Sequence, residues 1–199
     1  MATFVLGSGS TGRRMILKNA GLDFEVIHPR VDEDEIRAGF DAAAHEDPHA
    51  TLAVELARAK ALEVSTRTAL PVLGADQLLV LEGRIFTKPR NMAEARRQLE
   101  ALRGRTHRLV SALCVARQGE VEWIHVKHAD MTMRPFSDAF LDWYLETAGE
   151  KVLSSVGGYQ VEGPGIQLFE RIEGDVFTII GLPLLPFLDW LRGQGLIPA

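Results

Sequence analysis

Short apolar runs separated by polar and glycine-rich turns mark the first thirty residues of the chain. Phe4-Val5-Leu6 is typical of a buried strand, and it leads into a turn rich in glycine and serine. Residues 13–20 are predicted to form a helix that is partly apolar at Met15, Ile16 and Leu17, and Gly21 is well placed to end it. Residues 24–27 are again typical of a strand. The opening pattern therefore predicts a strand, a turn, a helix and a second strand.

The rest of the chain continues to alternate between helical and extended patterns. Residues 30–47 are polar, acidic and poorly periodic, and no element is assigned to them. The elements predicted beyond them are a helix after Pro48, a strand over 71–81 interrupted at 74–77, a hairpin turn at 82–83, a helix from Asn91 to 103, strands over 109–116 and 121–127, a helix from Ser137 to 147, strands over 166–172 and 177–180, and a helix over 184–191.

The predicted hairpins decide the fold class. Because hairpins join antiparallel strands, we expect an α/β fold with a mixed, partly antiparallel twisted sheet and flanking helices. The length of 199 residues suits one domain, or two small lobes that share a cleft, and no internal repeat or low-complexity linker divides the chain. We therefore expect a single domain over residues 1–199, with two lobes around a central cleft.

Composition and charge narrow the class of protein. The formal net charge of −5 argues against a general nucleic-acid binder, which usually carries a basic surface. Cys114 is the only cysteine, so no intramolecular disulfide can form. No signal peptide is recognised, and no run approaches the roughly 18 apolar residues of a spanning helix. We expect a cytoplasmic protein with neither a nucleic-acid nor a membrane partner.

The turn Gly7–Gly12 between the first strand and the first helix is a candidate phosphate-binding loop. Its glycines let backbone N–H groups approach an anion, and the helix N-terminus adds a favourable dipole. Ser8 and Ser10 add hydroxyl donors, and Arg13 and Arg14 add charged donors. A turn that merely caps a helix also uses glycine and serine, so this alternative remains open.

The same turn fits the G-x-G-x-x-G pattern of a dinucleotide-binding fold, and Asp32 follows about twenty residues later. Two features argue against that fold. The pair Arg13-Arg14 is more cationic than a backbone-held pyrophosphate needs, and the later chain lacks repeated strand–helix units. No Walker A lysine pattern is present either, which disfavours a P-loop protein.

Asp76 is the second candidate, because it lies in the otherwise apolar run 71–81. Burying a carboxylate is costly unless it is paired, binds a metal or takes part in chemistry, although an acid at a strand end can also be satisfied by backbone. Lys88 follows the next hairpin and is a cation for the same site. One carboxylate of the acidic run 32–35 could hold Mg²⁺ together with Asp76 against phosphate oxygens.

Four short blocks occur in a fixed order along nearly the whole chain. They are Leu6-Gly7-Ser8-Gly9-Ser10-Thr11-Gly12-Arg13-Arg14; Leu56-Ala57-Arg58-Ala59-Lys60-Ala61; Gly74-Ala75-Asp76-Gln77 with Lys88-Pro89; and Tyr159-Gln160-Val161-Glu162-Gly163 leading to Gly181-Leu182-Pro183-Leu184. The ordered set resembles the Maf family of nucleoside triphosphate pyrophosphatases.

The resemblance implies metal-dependent hydrolysis of a nucleoside triphosphate to the monophosphate and pyrophosphate, with Mg²⁺ or Mn²⁺ as cofactor. Asp76 corresponds to the family's proposed proton acceptor, and it is also a candidate metal ligand with Glu33. The residues that the family pattern brings to the triphosphate are Ser8, Arg13, Glu33, Lys60, Asp76 and Lys88. The resemblance also suggests a homodimer.

Three departures from the family pattern concern the choice of nucleotide. Gly12 stands where the family usually has an arginine, and Gln77 and Glu162 replace the Thr and Gln of the branch that acts on dTTP and UTP. These residues look more like the branch that acts on 7-methyl-GTP. A carboxylate such as Glu162 suits the two N–H donors of a guanine edge. A dTTP or UTP pyrophosphatase, and a nucleotide-binding regulator of cell division with little catalysis, remain the alternatives.

Overall fold

The structure is a computed structural model, and it describes residues 2–198. The strands are β1 (Phe4–Gly7), β2 (Phe24–Val26), β3 (Val72–Leu81), β4 (Arg84–Phe86), β5 (Thr106–Arg117), β6 (Glu120–Met133) and β7 (Phe169–Glu173). The α-helices are α1 (Thr11–Asn19), α2 (Glu33–Gly39), α3 (Pro48–Ser65), α4 (Met92–Leu102), α5 (Asp138–Ala148), α6 (Val176–Ile180) and α7 (Leu184–Gly193). Short 3₁₀ segments lie at Ala42–Ala44, Gly149–Ser154, Val156–Gly158 and Pro164–Leu168. No helix among the described residues is long and apolar enough to cross a membrane.

The strands form one mixed sheet, which confirms the predicted α/β class. Their order is β2-β1-β3-β5-β6-β7, and β4 pairs with β3. Strand β1 is parallel to both β2 and β3, whereas β3 with β4 and β6 with β7 are antiparallel. The tight turn between β3 and β4 has positive φ at Glu82 and Gly83, as the predicted hairpin requires.

The chain divides into two compact units. The first contains the chain up to Gln77, Ser111–Lys127 and the chain from Val176 onward, and the second contains Leu78–Val110 and His128–Asp175. In the first unit, β1 is buried on both faces. Phe4 and Leu6 lie in the main core with Phe187 of α7, whereas Val5 packs in a smaller cluster with Val64 of α3. This two-sided burial explains why the strand reads as an unbroken apolar run.

Helix α3 lies unusually close to β3 at Gly74. A Cβ on Gly74 would come within 2.2 Å of the carbonyl oxygen of Ala57 and 2.7 Å of the backbone nitrogen of Ala61. Only a residue without a side chain fits there, and the facing helix residues are also small. This close approach sets the distance between Lys60, next to Ala61 on the helix, and Asp76, two residues after Gly74 on the strand.

The second unit has its own aromatic and histidine core. The Tyr159 and Phe169 rings meet edge to face with centroids 4.9 Å apart, and Nε2 of His107 lies 2.7 Å from the Tyr159 hydroxyl. The preceding 3₁₀ segment, Val156–Gly158, contains two glycines at positive φ. The Tyr144 hydroxyl donates to the carbonyl oxygen of Gly158. These contacts fix the backbone that leads into the turn carrying Glu162.

Three element predictions were wrong. Helix α2 lies in the stretch to which no element was assigned; none of its residues is buried, so it has no hydrophobic periodicity, and it depends on Asp32 as its N-cap and on an acidic first turn. Strand β3 is not interrupted at 74–77, because a polar side chain does not break the backbone ladder. Residues 176–180 form α6 and not a strand, although β-branched residues dominate them.

The other strands begin or end a few residues away from their predicted boundaries. Strand β7 begins only at Phe169, because Pro164–Leu168 forms a 3₁₀ turn, and β5 and β6 are longer than predicted. The helix predicted from Asn91 is confirmed as α4, whose N-cap amide oxygen accepts from the Glu94 N–H. Helix α5 likewise begins after Ser137 and ends at Gly149.

Candidate active site

Most of the residues predicted for the site belong to the first unit. Those in the first unit are Ser8, Ser10, Arg13, Arg14, Glu33, Lys60, Asp76 and Gln77. Lys88 and Glu162 belong to the second unit, where both side chains are exposed, Lys88 after β4 and Glu162 in the turn before Pro164–Leu168. The geometry of the first group can therefore be described as one site.

Lys60 lies between two carboxylates. Its Nζ is 2.6 Å from Oδ1 of Asp76 and 2.7 Å from Oε1 of Glu33. The side chains of Lys60 and Asp76 are only 8% and 7% exposed, whereas that of Glu33 is 40% exposed. Because a buried charge is tolerated only when it is paired, Asp76 depends on Lys60, whereas Lys60 also has Glu33 as a partner.

The other oxygen of Glu33 accepts from Arg37, one helical turn further along α2, at 3.3 Å. Burial by itself would raise the pKa of Glu33, but the hydrogen bond and charge of Lys60, helped by Arg37, outweigh burial, so the pKa is lowered. Glu33 is therefore ionised at neutral pH. The four residues Arg37, Glu33, Lys60 and Asp76 form one chain of alternating charge.

The two carboxylate oxygens of Asp76 differ in their contacts. Its Oδ1 is bound to Lys60, but Oδ2 is buried and has no hydrogen-bond partner among the described residues. A buried acceptor without a partner costs free energy, so a native structure that keeps one usually has a use for it. A cation, a water molecule or a donor on a substrate would satisfy this atom.

A metal could be held here only with help from other ligands. Within residues 2–198 no three His, Cys, Asp or Glu side chains are grouped closely enough to hold a metal ion by themselves. Asp76 Oδ2 and the partly exposed carboxylate of Glu33 suit Mg²⁺, which commonly takes one or two carboxylates and completes its coordination with phosphate and water oxygens. The donor set therefore fits the predicted divalent cation when a triphosphate supplies the remaining oxygens.

Arg13 is buried and binds the protein backbone. Its Nε donates to the carbonyl oxygen of Gly181 at 2.8 Å, and Nη1 donates to the carbonyl oxygen of Ala75 at 2.8 Å and to Oγ of Ser8 at 3.1 Å. Burial lowers the pKa of Arg13, while the negative charges of Asp76 and Glu33 oppose that change. The arginine thus ties the turn after β1 to β3 and to the turn after α6.

The glycine- and serine-rich turn also caps α1, which was the open alternative. Oγ of Ser10 accepts from the backbone N–H of Arg13 at 3.3 Å, as an N-cap side chain does. A Cβ on Gly12 would stand 2.9 Å from Cγ2 of Ile180 on α6, so a larger residue at this position would require Ile180 to shift. Arg14 on the same helix is exposed.

Gln77 is held by residues that the sequence did not single out. Its Nε2 donates to Oγ of Ser111 at 2.9 Å and to the carbonyl oxygens of Thr178 at 2.9 Å and Ile179 at 3.0 Å. Ser111 is a polar residue inside the apolar run of β5, the same signal that singled out Asp76. Thr178 contributes a backbone carbonyl, which no side-chain pattern could have revealed.

The fold and these contacts define an α/β protein in which buried cationic and acidic groups meet at a glycine- and serine-rich turn. The family follows from the sequence: residues 3–194 match the description "Maf-like protein", and the chain belongs to the Maf family.

Three relatives are similar over nearly their whole length. A protein of Caulobacter vibrioides named nucleoside triphosphate pyrophosphatase is 50% identical over 96% of this chain and 94% of its own. Two proteins named 7-methyl-GTP pyrophosphatase are also similar. That of Rhizobium etli is 48% identical and that of Rhizobium johnstonii 50%, each over 97% of this chain and 96% of its own.

Proposed function

We propose that the protein hydrolyses a nucleoside triphosphate to the nucleoside monophosphate and pyrophosphate, using a divalent cation. The observation that carries the proposal is the buried Oδ2 of Asp76, which has no partner among the described residues while Lys60 holds the other oxygen. Membership of the Maf family and the names of the three relatives support the same reaction.

Asp76 has two possible tasks in this reaction. The reaction adds the oxygen of a water molecule to phosphorus and breaks the bridge between the α- and β-phosphates, so one proton of that water must leave. Asp76 Oδ2 either accepts this proton, with Lys60 holding the carboxylate in place, or binds the cation with Glu33. The cation, when bound, would neutralise charge on the phosphate oxygens.

Besides removing a proton from water, the site must neutralise the negative charge of the triphosphate. Phosphoryl transfer depends on positioning and electrostatics more than on covalent chemistry. Arg14 is exposed at the start of α1 and Lys88 is exposed after β4, so both are candidates to bind phosphate oxygens directly. Ser8 and Ser10 supply hydroxyls in the turn. Arg13 would act mainly by shaping that turn, since its Nε and Nη1 already donate to protein oxygens.

The proposed substrate is 7-methyl-GTP. Two of the relatives carry that activity in their names, and Glu162 would accept hydrogen bonds from the N1–H and N2–H groups of the base and attract its positive charge. A uracil or thymine base offers one N–H between two acceptors, which suits a carboxylate less well. A pyrophosphatase for dTTP or UTP is the second candidate.

A panel of triphosphates tests the proposal. The protein would be incubated with 7-methyl-GTP, GTP, UTP and dTTP in Mg²⁺ or Mn²⁺, and pyrophosphate release would be measured with and without EDTA. We expect the highest kcat/KM for 7-methyl-GTP and no release after the metal is removed. Tight nucleotide binding without release from any of them would instead support a non-catalytic regulator.

A further inference from the structure

We propose that Ser111 is a positioning residue, which fixes the side-chain amide of Gln77 so that Oε1 and not Nε2 faces the nucleotide. The proposal rests on the proposed function, because it takes Gln77 as a substrate-binding residue. Ser111 lies on β5, is fully buried and has no part in the charge chain around Lys60.

The orientation of the Gln77 amide follows from its neighbours. The atom that faces the carbonyl oxygens of Thr178 and Ile179 must be the amide nitrogen, because a carbonyl oxygen can only accept. Oγ of Ser111 donates its own hydrogen to the Thr178 carbonyl at 2.9 Å. Ser111 therefore meets Gln77 as an acceptor, at 2.9 Å from Nε2.

Three acceptors surround an amide nitrogen that has only two hydrogens. Nε2 of Gln77 is consequently fully used by the protein and has no hydrogen to give to a ligand. The half-buried amide can offer a ligand only its oxygen. Rotating the amide by 180° would place Oε1 against two carbonyl oxygens, and the Ser111 hydroxyl is already committed to Thr178, so the flipped form is disfavoured.

Gly181 lies beside that oxygen. Its φ of +99° disfavours any residue with a side chain, and a Cβ there would stand 3.4 Å from both Oε1 of Gln77 and Nη2 of Arg13. Oε1 of Gln77 and the guanidinium of Arg13, an acceptor and a cationic donor, therefore both lie beside Gly181. A ligand group that meets Gln77 here has to be a hydrogen-bond donor, such as a base N–H, a hydroxyl or a bound water molecule.

The expected consequence of losing the Ser111 hydroxyl is moderate and specific. In Ser111→Ala the Gln77 amide keeps its two backbone partners but loses the third, and the amide can rotate more freely. The loss of one neutral hydrogen bond changes an equilibrium constant by about tenfold or less. We therefore expect kcat/KM to fall about threefold to tenfold.

A double-mutant cycle tests whether Ser111 acts through Gln77. The variants are Ser111→Ala, Gln77→Met and the pair, measured for kcat and KM on the triphosphate that the wild-type protein turns over fastest. We expect Ser111→Ala to lower kcat/KM in the wild-type background and to have no further effect when Gln77 is Met. The matched control is Ser65→Ala, since Ser65 is equally buried but bonds Leu62 and Gly119 and not Gln77.

An unchanged kcat/KM in Ser111→Ala, or an equal loss in both backgrounds, would overturn the proposal, because Ser111 would then act without Gln77. If Ser111→Ala did not fold, Ser111→Cys would replace it, since the thiol leaves no cavity and is a weaker hydrogen-bond acceptor. A wild-type protein that releases no pyrophosphate would refute the proposed function separately. The same cycle would then be measured as the Kd for 7-methyl-GTP, with the same two outcomes.

Discussion

Lys60 is the residue on which the charge balance of the site depends. It is the one cation in contact with the buried carboxylate of Asp76 among the described ion pairs, and it also binds Glu33. The pair is not evidence of stability in itself, because desolvating two charges costs as much as their attraction returns. Removing one partner is different, since the other charge is then left buried and alone.

Lys60→Met should therefore destabilise the protein strongly. We expect the free energy of unfolding to fall by about 3–5 kcal/mol, the usual loss when a buried ion pair keeps only one charge. Urea denaturation followed by circular dichroism measures this value. Lys18→Met, at an exposed position of α1, is the control and should change it by less than about 0.5 kcal/mol. Equal, small changes in both variants would show that the Lys60 pair is not buried as described.

His107 gives the second unit a pH dependence. Burial lowers the pKa of His107 to about 4, and its Nδ1 has no partner among the described residues. Between about pH 4 and 6.5 the unfolded chain is protonated at this histidine while the folded protein is not, so stability falls as the pH is lowered through that range, by up to ~3 kcal/mol.

The variant His107→Gln separates the contribution of this histidine to the pH dependence of stability from that of the carboxylates. Free energies of unfolding measured between pH 7 and 4 should fall more steeply for the wild-type protein than for His107→Gln. Parallel curves for the two proteins would mean that His107 is as easily protonated in the folded state as in the unfolded chain.

At the scale of elements, the contact between α3 and β3 positions the site. Gly74→Ala would place a methyl group against the helix backbone at Ala57 and Ala61, so the helix must move away from the strand. We expect a loss of at least about 3 kcal/mol in the free energy of unfolding, the upper range for overpacking. Activity of the folded fraction should fall as well, since Lys60 moves with the helix.

The control for this variant is Gly39→Ala at the end of α2, where a Cβ would meet no atom within 4 Å. Because alanine favours a helix over glycine, that change should leave stability unchanged or raise it by up to about 1 kcal/mol. Thermal unfolding and pyrophosphate release compare the two variants. A Gly74→Ala protein as stable and active as Gly39→Ala would contradict the close helix–strand contact.

The sequence predicted the elements whose signal is local. Capping and stop residues indicate helices α1, α4 and α5, and an unbroken apolar run indicates the buried strand β1. Helix α6 was misassigned because its β-branched residues favour a strand, while the glycine at 181 and the bonds from 181 and 182 back to Phe177 end it as a helix. Helix α2 carries no apolar signal.

The whole molecule shows why the site could be predicted only in part. Residues near positions 8, 33, 60, 76 and 181 meet in one unit. The apolar setting of Asp76 singled out that carboxylate, because a buried acid is costly unless it is paired, whereas Lys60 was indicated only by the resemblance to the Maf family. Backbone carbonyls and their orientations, such as those that hold Arg13 and Gln77, depend on the tertiary fold. No residue pattern could have indicated them.

Pyrophosphate release by Asp76→Asn measures directly how much the reaction depends on this carboxylate. The amide keeps the size of the carboxylate but neither accepts a proton nor binds a cation well, so we expect a loss of at least about a hundredfold in kcat with the fold retained. Asp189→Asn on the exposed face of α7 is the matched control and should keep the wild-type rate. Wild-type turnover by Asp76→Asn would show that this carboxylate neither accepts the proton nor holds the cation.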